Sequence, residues 1–96
     1  MTTLIYIAQG TCGEYEDRMV WSVAAFMTLD MALEFVGRLN AKAKELGIHD
    51  RAAYDEQSMY DQHVLSQMHV LDPQAQMDYT GTHYDLLTCE LWSALP

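Results

Sequence analysis

Residues 28–48 read TLDMALEFVGRLNAKAKELGI, and this stretch decides the fold. Thr28 is an N-cap residue type, and Asp30 in the first turn favours the positive end of a helix dipole. Leu29, Ala32, Leu33, Val36, Leu39, Ala43 and Leu46 recur at helical spacing. Met31 and Phe35 lie off that stripe and widen the apolar face. Lys42 and Lys44 sit in the last turn, where cations are favourable. Gly47 followed by apolar Ile48 is the pattern of a Schellman stop. One amphipathic helix is therefore expected over these residues.

Upstream, Leu4-Ile5-Tyr6-Ile7-Ala8 is rich in β-branched and aromatic residues and predicts a strand ended by Gly10. Gly10 to Asp17 is a polar, glycine-bearing connection. Arg18 to Phe26 predicts a second strand, with Val20, Ser22, Ala24 and Phe26 on one face and Met19, Trp21, Val23 and Ala25 on the other. Neither face is polar, so both are expected to be covered. Downstream, Tyr60, Val64, Leu65, Met68 and Leu71 fit a helical stripe, and a second helix is expected between about Ala52 and Val70. Asp72-Pro73 ends it, because a residue before proline is pushed out of helical geometry. Gln74 to Thr82 connects to a last strand, His83 to Trp92. In that strand Leu87, Cys89 and Leu91 alternate with Tyr84, Leu86, Thr88, Glu90 and Trp92.

The order β-β-α-α-β predicts a single α+β domain over residues 1–96. It is a two-layer domain, a small antiparallel sheet with helices on one face. Ninety-six residues, half of them apolar, are too few for a thick core and too apolar for a disordered acidic tail. Open sheet edges on a thin core suit extension into a homodimer. No apolar run approaches the roughly 18 residues of a membrane span. Met1-Thr2-Thr3 leads directly into a strand without a basic n-region, so a cytoplasmic protein is expected, with no membrane partner.

Charge is unevenly placed. Residues 1–51 hold seven acidic and all five basic side chains, a net of −2. Residues 52–96 hold seven acidic side chains and no lysine or arginine, which completes the net of −9. A half without cations cannot grip phosphate by charge, so no direct nucleic-acid partner is expected. Such a half suits a protein partner with a basic surface, or none.

Catalytic and metal motifs are missing. Gly10-Thr11-Cys12-Gly13-Glu14 lacks the spacing and the lysine of a phosphate loop. His63 and His69 are six residues apart and point to different sides of a helix. Pairing of the outer strands would put Cys12, His83 and Cys89 on neighbouring strands, yet no C-x-x-C or H-E-x-x-H spacing supports a metal site. Cys12 lies among Glu14, Glu16 and Asp17, which disfavour a thiolate. Cys89, alternating with leucines, reads as a small core residue, and both cysteines as reduced thiols. No cofactor, no metal and no enzymatic activity are expected. Of the methionines, Met59, Met68 and Met77 read as core filling rather than as an adaptable surface.

Aromatic residues beside carboxylates are the stronger lead. Tyrosine and tryptophan on loops and sheet edges are common anchors of protein interfaces. Glu14, Tyr15, Glu16, Asp17, Asp72, Asp78, Tyr79, Asp85 and Trp92 are therefore the expected partner-binding residues, with Trp21 assigned to the core.

Two stretches also carry a resemblance. One runs from Ile5-Tyr6-Ile7 through Gly13-Glu14-Tyr15-Glu16-Asp17-Arg18 to Phe26-Met27-Thr28. The other is Leu71-Asp72-Pro73 with Asp78-Tyr79-Thr80-Gly81-Thr82 and Tyr84. Together they resemble a group of small phage and prophage proteins that open with a strand, a G-E-Y-[SE]-D-like loop, a second strand and a helix, and close with a strand. The resemblance covers about the first half and the last quarter of the chain and brings no catalytic residues with it. It implies a phage setting, in which short acidic proteins bind and block a host factor, anti-CRISPR and other anti-defence proteins among them. The alternative expectation is a small homo-oligomeric structural or accessory phage protein.

Overall fold

A computed structural model describes residues 2–49, 67–75 and 80–92. Strand β1 spans Thr2–Cys12, and a 3₁₀ turn at Tyr15–Asp17 leads into β2, Met19–Phe26. Helix α1 spans Leu29–Leu46 and strand β3 His83–Trp92. The strands form one antiparallel sheet in the order β2-β1-β3, and α1 packs against all three. The α+β architecture expected from the sequence is observed. Residues 50–66, which carry most of the expected second helix, lie outside the described residues. Its expected last turn is not helical. Among the described residues of this segment Gln67 is in helical conformation, and from Met68 the chain proceeds by turns.

The caps of α1 follow the local chemistry. The Thr28 hydroxyl accepts from the Met31 N–H at 3.4 Å. Gly47 adopts φ 76°, and the Gly47 and Ile48 N–H groups donate to the carbonyls of Lys44 and Ala43 at 3.1 and 3.0 Å. That pair of bonds is the Schellman motif. The buried face of α1 is rotated from the expected stripe. Ala32, Leu39 and Ala43 are buried and Phe35, Val36 and Leu46 pack beside them, whereas Leu29 and Leu33 are exposed. Phe26 at the end of β2 draws Phe35 inward, with ring centroids 5.2 Å apart.

Strand β1 does not stop at Gly10. It continues to Cys12 because Gly10 pairs with Trp21, whose indole lies over the glycine. A Cβ on Gly10 would fall 2.4 Å from Trp21 Cε2, so the absence of a side chain is what admits the ring.

A bulge explains why β2 has no polar face. Gln9 pairs with Ser22 but Ala8 pairs with Ala24, leaving Val23 as an additional residue. The alternation therefore slips by one, and Trp21 and Val23 before the slip and Phe26 after it all pack on the same core. That core centres on Ala8, Leu39, Ala43, Ile48 and Tyr84.

The other side of the sheet is not covered as expected. Cys89 is exposed rather than a core residue, since it pairs with Ile5 on the face away from α1. Met68 is likewise exposed rather than core filling. Cys12 is buried on the helix-facing side, seven positions along β1 from the partner of Cys89. The two cysteines cannot meet, although their strands adjoin.

Candidate protein-binding surface

One end of the sheet brings the Gly13–Asp17 loop of the first resembling stretch against Thr80 of the second. The β1–β2 connection turns at Gly13, φ 90°, and Tyr15, φ 53°. The Gly13 N–H donates to Thr80 Oγ1 at 2.7 Å, a contact between residues 67 apart in sequence. Thr82 N–H donates to the Ile48 carbonyl at 2.8 Å, which fastens the same segment beneath the end of α1. The loop is thus held from below by the chain entering β3.

Beneath it, Asp72 organises a buried polar cluster. It is 1 % exposed. Its Oδ2 accepts from Trp21 Nε1 and from the Tyr84 hydroxyl, both at 2.8 Å, and its Oδ1 accepts from the Gln74 N–H at 3.0 Å. The last of these is an Asx turn, which accounts for the chain reversal at Asp72-Pro73. Trp21 and Tyr84 stand edge to face at 6.4 Å, and His69 meets Tyr84 similarly at 5.4 Å. The His69 ring donates through Nε2 to the Leu39 carbonyl at 3.0 Å, and its Nδ1 is buried with no hydrogen-bond partner among the described residues. Burial foremost, then the hydrogen bond to Asp72 and the charges of Asp72 and Cys12, push the Tyr84 hydroxyl far above its ordinary value.

On this support stands Tyr15. It is the only non-glycine residue of positive φ among the described residues, and its side chain is 94 % exposed. Left-handed backbone costs a non-glycine residue of order 1–3 kcal/mol, and no burial of the ring offsets it. Glu14 and Glu16 on either side are exposed as well. Next to the loop, Arg18, Met19, Val20, Trp21 and Gln74 line a depression of about 630 Å³. It is open to solvent, which suits contact with a protein better than enclosure of a small molecule.

The expected binding residues therefore separate. Glu14, Tyr15 and Glu16 stand at the tip. Asp17 belongs to the same 3₁₀ turn. Asp85 is exposed in the third row of β3 from that end, paired with Gln9. Trp92 pairs with Thr2 at the far end of the ladder, about 30 Å away at 3.3 Å per residue, and its Nε1 donates to Glu90 Oε2 at 2.9 Å. It is not part of this surface. Asp72 is a core residue and not a surface carboxylate, because three donors converge on it inside the fold. Asp78 and Tyr79 lie outside the described residues. Gly13 and Thr80, which fix the tip, were not among the expected residues. Their only signal was membership of the two resembling stretches.

Among the described residues, no three His, Cys, Asp or Glu side chains are grouped to hold a metal ion. No helix among them is long and apolar enough to cross a membrane. Comparison of the chain with family models, with curated proteins and with solved structures finds no match.

Proposed function

We propose that this chain binds a host protein, docking its acidic hairpin tip on a basic surface of that partner. The observation that carries the reading is Tyr15, fully presented in a strained backbone between two exposed glutamates and anchored through Gly13 and Thr80. A rigid aromatic anchor flanked by charge is the pattern of an interface hot spot with electrostatic steering. The charge of the chain agrees with it. Two of the five cations are engaged on α1, Arg38 by Glu34 at 2.7 Å and Lys42 by Glu45 at 3.2 Å, and none follows Arg51. The most specific form of the proposal, supported by the resemblance to phage proteins, is inhibition of a bacterial defence complex of the CRISPR type by occupation of its basic surface.

That form is tested by co-expressing the chain with a panel of CRISPR effectors targeted to a plasmid. Plasmid establishment is expected to recover with one effector, and the Glu14→Gln/Glu16→Gln variant is expected to lose much of that recovery. Undiminished interference across the panel would remove the inhibitory version of the proposal.

A further inference from the structure

The face of the sheet opposite α1 has a composition of its own. Strand register places Ile5 and Ile7 there beside Cys89 and Leu87, with Leu91 in the next row and Ala25 and Val20 on β2. Leu87 and Leu91 are 48 and 53 % exposed, and Val20, Ala25 and Cys89 are also exposed. The alternate rows that belong to this face, Thr3–Leu91, Ile5–Cys89 and Ile7–Leu87, carry no charge. The first carboxylate on this face is Asp85, opposite Gln9. We infer that this face is the interface with a second copy of the chain, packed sheet against sheet.

Three observations select that occupant. A basic protein of the kind the acidic tip would recognise gains nothing from an uncharged aliphatic face and would leave its cations dehydrated on it. A second copy brings the same flat apolar surface, which is the self-complementarity a two-fold interface requires. The area is also suitable. Ten rows on β1 and β3 and eight on β2, at about 3.3 Å along and about 4.8 Å across the strands, give a face of roughly 450 Å², apolar from the Thr3–Leu91 row to the Ile7–Leu87 row. Two such faces bury about 900 Å² in projection, and side-chain relief brings this to the low end of interface sizes. Dimerisation through the sheet edges is the poorer route. Asn40 occupies the outer backbone groups of Tyr84 on the β3 edge, and the bulge at Val23 interrupts the β2 edge. The inference is independent of what the tip binds.

Sedimentation equilibrium of the full chain tests it, with Leu87→Lys/Leu91→Lys as the comparison. The wild type is expected at twice 11.0 kDa and the variant at 11.0 kDa with an unchanged circular dichroism spectrum. In the wild type, a bis-maleimide of about 10 Å, the spacing of packed sheets, is expected to join two chains through Cys89 and to fail in Cys89→Ser. Cys12, buried, does not substitute. A monomer at every concentration would overturn the inference, as would a dimer that survives the double lysine change. So would a monomer whose Cys89 resists maleimide, since the chain itself would then cover the face. If the lysine variant does not fold, the cross-link decides, and a wild-type dimer without it contradicts the proposal.

Discussion

Asn40, in the middle of α1, hydrogen-bonds both backbone polar groups of Tyr84. Its Oδ1 accepts from the Tyr84 N–H at 2.9 Å and its Nδ2 donates to the Tyr84 carbonyl at 3.0 Å. The amide thus does for one residue what a neighbouring strand would do, and it locks the helix to the sheet. Asn40→Ala is expected to cost about 2–4 kcal/mol, since two partly buried backbone groups lose their partners. Asn40→Asp keeps the acceptor and should cost less. Urea unfolding of the two variants checks both the size and the order.

Asp72 is the second such point. Asp72→Ala withdraws the acceptor from Trp21, Tyr84 and Gln74 together. A loss of about 3–5 kcal/mol is expected, because three buried or partly buried donors lose their acceptor at once. Asp72→Asn should cost less, because one oxygen can still accept. Changed Trp21 fluorescence in the native state would accompany the loss. A variant as stable as the wild type would contradict the placement of Asp72 in the core.

Two glycines should respond with opposite signs. Gly10→Ala forces a methyl group into the Trp21 indole and is expected to destabilise by about 1–3 kcal/mol. In a Trp21→Leu background the same change should cost much less. A Cβ on Gly37, inside α1, meets nothing within 4 Å, so Gly37→Ala should stabilise by about 1 kcal/mol. Thermal unfolding of the four variants tests the pair.

Tyr84 sets a pH dependence. Its hydroxyl, raised chiefly by burial, stays protonated in the native state after tyrosines of the unfolded chain ionise near pH 10. Above that pH the unfolded state holds fewer protons, so stability falls as pH rises. Below it this group contributes no slope. Denaturant midpoints between pH 8 and 12 are expected to be level and then to decline, and Tyr84→Phe should begin lower and decline less.

What could be read in the chain was local. Thr28, Gly47 and Ile48 act within one helical turn of their own positions, so the ends of α1 were legible. The rotation of α1 was not, because Phe35 is drawn inward by Phe26, a residue outside the helix. Asp72-Pro73 reads as the stop of a second helix, whereas the chain already proceeds by turns from Met68. The burial of Asp72 was hidden because its donors Trp21 and Tyr84 stand 51 and 12 residues away. The strand alternation of β2 misled for a similar reason, since a bulge becomes visible only when Ala8 and Gln9 are set against their partners. At the candidate site, Glu14, Tyr15 and Glu16 were legible from residue type and loop position. Their anchorage on Thr80 was not, since it depends on how the chain enters β3.

The most direct test of the account is capture from bacterial host lysate with the wild type and Tyr15→Ser side by side. Tyr15 buries nothing, so the variant should be as stable as the wild type. A stoichiometric protein partner is expected on the wild type, released as salt is raised because exposed charges are screened, and reduced at least tenfold on Tyr15→Ser. A partner held equally by both chains, or no partner on either, would contradict it.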